Sequence, residues 1–280
     1  MSNRWNFIYA TLLHLLLLTG ALLTLLPFLW MVLGSFKTTT EIFRLPLVFL
    51  PQEWYFQNYI DLFVTRPFAG WYRNSGVIAF VQTLAVLFFS SLAGFGFGKY
   101  EFRGRGFLFT VLIASMIIPF GVILIPLYVL VNKLGMLDTY AALIMPFMAP
   151  AFGIFMMKQF MSSIPSELLD AARIDGSSEF GIYWRIVVPL LRPALGALAV
   201  FTFLGAWNSF LWPLIILRDI GRYTLPVGLA TLQALGGGGA KTEYGMILAG
   251  ATLVSLPVIT LFLLMQRQFI AGLTLGSVKG

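Results

Sequence analysis

An all-α integral membrane fold with six transmembrane helices is what this sequence predicts, on three observations. Hydrophobic residues make up 59% of the 280 residues and charged residues 10%, against about 45–50% and about 25% in soluble domains. Long apolar runs recur, each near the roughly 20 residues that cross a bilayer as a helix. None of these runs carries Asp, Glu, Lys or Arg away from its ends. A soluble domain of this balance could not cover its surface with polar groups.

The first span is read at about residues 7–33, with Gly20 and Pro27 inside it. It is too long for a signal-peptide core and has no small-x-small cleavage site near its end, so it reads as an uncleaved span. A long extramembrane loop follows, from Gly34 to Arg73, with Trp54, Tyr55, Phe56 and Tyr59 as candidates for the headgroup level. The second span, about 75–98, ends in Gly-Phe-Gly-Phe-Gly. That run lacks dinucleotide-binding spacing, and Gly94 and Gly98 instead make a small-xxx-small face for close helix packing. The remaining spans fall at about 107–131, 139–160, 190–217 and 244–267.

Prolines 119, 126, 146, 150, 213 and 257 lie within these spans, each removing a helical hydrogen bond. Such breaks persist in a bilayer where neighbouring helices or a wet cavity satisfy the freed carbonyls. Kinked helices around a translocation path and static packing kinks both fit. The chain reads as one membrane domain: 1–73 the first span and long loop, 74–267 the core, 268–280 a tail.

Composition and motifs exclude several classes. The net charge of +7 is scattered over loops, which is the pattern of membrane-flanking cations and not of a nucleic-acid face. Cysteine is absent and His14 is the sole histidine, so no metal site is expected and His14 reads as a packed or interface residue. Leu235–Thr242, LGGGGAKT, imitates a phosphate-binding loop, but Leu235 and Ala240 occupy both glycine positions that the loop requires. It reads as a flexible linker. No clustered acid, base or metal set marks an enzyme. With neither a buried ion relay nor a nucleotide site, a transporter of this kind needs an external motor.

One charged, helix-patterned interval interrupts the apolar blocks, residues 163–193. Leu168, Ala171, Ala172 and Asp175 recur at i, i+3, i+4 and i+7, one stripe of a short helix. Ser163 suits the N-cap, Pro165 the first turn, and Glu167 and Asp170 the positive end of the dipole. Gly176 stops the helix. A second short helix spans about 178–187, ending before Pro189 and Pro193. Polar side chains able to face a passing solute are few: Gln82, Tyr128, Thr202, Asn208 and Ser209, with Trp207 and Trp212 near the last group. They suit a sugar, whose apolar faces stack on rings and whose hydroxyls hydrogen-bond. Interhelical hydrogen bonds are the simpler reading of the same groups.

The interval resembles the EAA loop of permease subunits in binding-protein-dependent ABC importers: Asp170-Ala171-Ala172, three residues, Gly176, then Ile186-Val187-Val188-Pro189. Asp170, Ser177 and Val188 replace the usual Glu, Ala and Leu. The segments KYEFRGRGFLF, FLGAWNSFLWPLIIL and QRQFIAGLTLGSVKG are similar to the carbohydrate branch, specifically its maltose-type second permease. The resemblance implies a type I importer fold with a cytoplasmic coupling helix. It implies a second related permease, two ABC ATPase subunits that use ATP in place of any cofactor on this chain, and an extracytoplasmic sugar-binding protein received by loops 34–73 and 218–243. Coupling falls on Glu167, Leu168, Asp170, Ala171, Ala172, Arg173, Ile174, Asp175 and Gly176. Leu168, Ala171, Ala172 and Ile174 would sit in the ATPase groove, with Asp170, Arg173 and Asp175 making polar contacts. Placing that loop inside, with the dense basic segment 99–105, puts both termini in the cytoplasm of a multi-pass cell-membrane protein. A non-sugar solute and an ion-coupled carrier are the alternatives.

Overall fold

The computed structural model describes residues 2–235 and 243–274, with side chains from 8 to 233 and 243 to 266. Residues 236–242, which hold the linker reading, and the tail beyond 274 lie outside the described residues. Among the described residues every regular element is helical.

Helix α1 (Ser2–Gly34) contains Pro27, and the rest of the chain buries none of its apolar window. A helix apolar all round and left uncovered is suited to lipid. Two short helices follow, α2 (Thr39–Ile42) and α3 (Gln57–Val64). Helix α4 (Phe68–Lys99) is unbroken and begins seven residues before the expected second span, because Trp71, Asn74 and Ser75 in its first turns are buried.

The next three spans are each broken, which the apolar pattern did not reveal. Helices α5 (Arg105–Ser115) and α6 (Phe120–Lys133) meet at 102° around Pro119. Proline there has no N–H to donate and disfavours helical backbone in the residue before it. Helix α7 (Tyr140–Ile144), extended by a 3₁₀ turn to Phe147, and α8 (Ala151–Met161) meet at 42° around Pro150. After α9 (Ser166–Ile174), the helix expected to stop before Pro189 continues: α10 (Glu179–Ile182), a π turn over Tyr183–Val187 and α11 (Val188–Leu190). The π turn takes the Val188 N–H to the Tyr183 carbonyl, shifting the hydrogen-bond register immediately before the proline. A 79° bend then leads into α12 (Arg192–Trp207). The fifth span does not run through to Leu217, because Asn208 and Ser209 leave the helix before α13 (Leu211–Ile216). Helix α14 (Leu225–Leu235) occupies part of the expected external loop, and α15 (Tyr244–Thr274) is the last. Among the described residues three helices are long and apolar enough to cross a bilayer, and counting each bent pair as one span gives up to six.

The described residues fall into two compact units, within Met1–Phe68 and Gly228–Leu256, and within Ala69–Val227 and Pro257–Gly280. In the first, Phe36 gathers Trp54, Phe56 and Tyr59 at 5.2–5.3 Å between centroids. Lys37, read as a loop cation, is instead fully buried. Its ammonium donates to the Val48 carbonyl and lies 4.8 Å over the Trp30 ring, partners that offset its desolvation.

The second unit is built on the seam between α4 and α8. A Cβ on Gly94 would stand 2.6 Å from Met157 Cβ and 3.0 Å from the Lys158 nitrogen, and one on Gly98 would stand 2.6 Å from Met161 Cβ. The expected small-residue face therefore does bring two backbones together. Beside it Val86, Met157, Ala194 and Leu198 form one buried cluster. A second cluster, with Phe95, Met161, Leu169, Tyr183 and Val187, underlies α9.

Candidate functional site

Helix α9 starts at Ser166 with Pro165 at its N-cap. Ser163 is not the cap, since its hydroxyl donates to the Phe160 carbonyl at 2.7 Å. At the other end Gly176 takes φ +81°. Its N–H reaches the Arg173 carbonyl at 3.0 Å and the Ser177 N–H reaches Ala172 at 2.9 Å. This is the paired closure of a helix ended by a left-handed residue, which glycine adopts without a Cβ penalty.

The faces of α9 differ from the sequence expectation in one respect. Leu169 and Ala172 are buried against Phe95, Met161, Ile164 and Tyr183, so Ala172 leaves the outward stripe where it was expected. Leu168, Ala171, Ile174 and Asp175 face out, and Ile174 is 87% exposed. Leu168 is also exposed, on a helix whose other side is anchored in the buried cluster. The anchoring is specific. Lys99 donates to the Ile164 carbonyl, and Ser91 Oγ lies 2.6 Å from the Tyr183 hydroxyl in a buried pair.

Asp170 and Arg173, expected to contact a partner, bond within the chain. Arg173 Nη1 donates to Asp170 at 2.7 Å, and Arg173 Nε donates to Glu179 Oε1 at 2.8 Å. The Tyr100 hydroxyl also donates to Glu179, and the guanidinium lies 5.9 Å over the Tyr100 ring. Glu179, which the motif did not single out, thus clasps two helices across the Gly176 turn. Glu167 stays exposed on the first turn of α9.

The Arg173 guanidinium first, and the Tyr100 hydroxyl second, hold the Glu179 carboxyl below its ordinary value. A carboxyl depressed in the folded state contributes stability that is present above its unfolded value, about 4.3, and fades as pH falls through the lower folded one. The groups are part-exposed, so the contribution is small, about 0–1 kcal/mol. In thermal unfolding against pH, the wild-type advantage over Glu179→Gln is expected to be full above about pH 5 and to fade below about pH 4. An advantage independent of pH would contradict the clasp.

A second feature lies at the break after α12. A cavity of about 390 Å³ is lined by residues including Gln82, Ser209, Trp212, Phe120, Phe147 and Thr224. Of the expected solute-facing residues it gathers Gln82 and Ser209. Tyr128, Thr202, Trp207 and Asn208 are not on it. Trp207 is buried and stacks on Phe203 at 5.7 Å, Asn208 donates to the Leu204 carbonyl at 3.0 Å, and Tyr128 packs against the cluster around Trp212. His14 is exposed on α1, its Nδ1 2.6 Å from the Ala10 carbonyl oxygen.

Sequence reading missed Thr224, which has no motif around it and reaches the cavity only because the segment before α14 is pinned from two sides. Trp71 Nε1 donates to the Ile220 carbonyl at 2.7 Å. Asn74 donates to Gly221 and Tyr223 carbonyls at 2.8 and 3.0 Å, and Ser75 accepts from the Leu225 N–H at 2.8 Å. From the other side Asp138, at φ 58°, accepts the Arg218 and Asp219 N–H groups at 3.0 and 3.2 Å and pairs with Arg222 at 3.1 Å. The Arg218 N–H, more than any other contact, holds the Asp138 carboxyl below its ordinary value.

The family model described as the binding-protein-dependent transport system inner membrane component matches residues 87–274. The chain is 40% identical over 263 residues to the arabinooligosaccharides transport system permease protein AraQ of Halalkalibacterium halodurans, covering 93% of each chain. It is also 40% identical to AraQ of Bacillus subtilis, covering 98% of this chain and 97% of that protein. It is 38% identical to the lactose transport system permease protein LacG of Rhizobium radiobacter, covering 93% of each. Among solved structures, a chain of a bacterial ABC transporter involved in the import of the acidic polysaccharide alginate shares its fold. The TM-score is 0.82 at 24% identity, over 95% of this chain and 98% of that one. By this match over most of the chain and these likenesses along nearly its whole length, the chain belongs to the inner membrane components of binding-protein-dependent transport systems.

Proposed function

We propose that this chain is the transmembrane permease subunit of an ATP-driven sugar importer, forming half of the translocation path and coupling it to a separate ATPase. The observation that carries the reading is α9 itself. One face is buried, Asp170 and Arg173 are bonded within the chain, and Ile174 is exposed at the tip. Leu168, Ala171 and Ile174 would enter a groove on the ATPase, and closure of two such subunits on ATP would carry α9 as a rigid body. The preference of ATP for the closed state supplies the bias that any ligand-driven shift requires. A second related permease completes the path, an extracytoplasmic binding protein delivers the cargo, and both termini face the cytoplasm. The arabinooligosaccharide and lactose relatives support a saccharide as cargo.

Reconstitution with the companion permease, the ATPase and the binding protein tests this. Uptake of labelled arabinotriose or lactose is expected to require ATP and the ATPase and to survive an ionophore. Uptake by this chain alone would contradict it. Ile174→Asp is expected to lower ATPase co-purification at least about tenfold, as loss of an apolar anchor does, while the unfolding free energy stays within about 0.5 kcal/mol of wild type because the site is exposed.

A further inference from the structure

Thr224 is 3% exposed, and its hydroxyl finds no hydrogen-bond partner. Burial of an unpaired hydroxyl is unfavourable. Ser90 is also unpaired, but it is wedged in the helix seam, where a Cβ on Gly153 would stand 2.5 Å from its oxygen. Thr224 instead borders open volume of about 390 Å³, within the range of ligand pockets, about 300–1,000 Å³. Gln82 and Ser209 line the same volume, and the polar side chains of all three residues both donate and accept.

The opposite character of the wall is aromatic. Phe120, Phe147 and Trp212 stand 5.9, 6.1 and 6.2 Å apart by ring centroids. Trp212 is pinned, its indole N–H donating to the Ala142 carbonyl at 2.9 Å. Among the described residues no Asp, Glu, Lys or Arg lines the cavity. A phosphate or carboxylate entering it would lose water without gaining a counter-charge, whereas a neutral sugar ring offers apolar faces to the rings and hydroxyls to the polar groups.

We propose, on the basis of the permease reading above, that this cavity is a neutral-saccharide subsite. Thr224, Gln82 and Ser209 exchange hydrogen bonds with sugar hydroxyls, and the three rings take the apolar face of the sugar. This subunit then discriminates against anionic cargo independently of the binding protein.

The test uses the assembled complex in proteoliposomes, with labelled arabinotriose and lactose as probes. Thr224→Val removes the hydroxyl at nearly constant volume, and it is expected to raise KM about three- to tenfold, the worth of one hydrogen bond. Thr224→Ser is expected to restore wild-type KM. The thermal midpoint of Thr224→Val should equal or exceed that of wild type, since an unpaired hydroxyl is removed. Gln82→Leu, expected to raise KM by a similar factor, serves if Thr224→Val does not assemble. Unchanged KM in the assembled variants would show a structural water or an idle hydroxyl and overturn the subsite while wild-type uptake upholds the permease. A wild-type complex that imports neither saccharide overturns both.

Discussion

Gly94→Val is expected to stop α4 and α8 from closing on each other. The first carbon of any side chain there already meets Met157 Cβ at 2.6 Å and the Lys158 nitrogen at 3.0 Å. The second of these is backbone, which no rotamer change can move aside. Overpacking of this kind costs about 1–3 kcal/mol, and the branched carbons of valine add to it. Gly96→Val is the control, because a Cβ at Gly96 meets nothing within 4 Å and the residue lies on the same helix. The purified single chain should therefore unfold at a clearly lower temperature as Gly94→Val than as Gly96→Val. Equal midpoints would mean that the seam is looser than these distances.

Gly176→Val acts by a different route. Nothing lies within 4 Å of a Cβ there, so the penalty is purely conformational. At φ +81° an L residue loses about 1–2 kcal/mol, and a β-branched one more. The turn that closes α9 would open, and with it the Arg173–Glu179 clasp that sets the angle between the two short helices. Insertion into the membrane should be normal, with ATPase co-purification and uptake both reduced about tenfold or more. Gly176→Asn, which tolerates the left-handed region, should recover most of the loss. Full co-purification by the valine variant would contradict the role given to this turn.

These two glycines were legible in the sequence, and the reason is instructive. Each is a local requirement: a small residue every four positions on one helix, and a stop after a helical stripe. The membrane class was legible too, since composition and run length alone exclude a soluble domain. The bends were not. Prolines 119 and 150 mark where a helix can break, but the angles of 102° and 42° are set by what packs around them. Ala172 was expected on the outward face of α9 because Leu168, Leu169, Ala171, Ala172 and Ile174 satisfy two stripes about 100° apart. Burial of Leu169 under Phe95 and Met161 decides between them, and that is a tertiary fact.

The same holds for the two residues that sequence reading missed. Glu179 acquires its role only when the Gly176 turn brings it to Arg173, six positions away and beyond one helical face. Thr224 acquires its role when Trp71, Asn74 and Ser75, about 150 positions earlier, hold its loop over the cavity. Conversely, Trp207 and Asn208 carried the right chemistry but are turned to structural use, one stacked on Phe203 and the other bonded to its own helix. Residue type identifies candidates, and the backbone decides which of them share a space.

The central claim is that α9 presents Ile174 to a cytosolic motor. The 280 residues contain no cysteine, so Ile174→Cys is a unique thiol. Treated with a membrane-impermeant maleimide, it should label in inside-out vesicles and not in intact cells, and bound ATPase should protect it. Labelling from the cell exterior, or labelling in inside-out vesicles that is indifferent to the ATPase, would contradict the account.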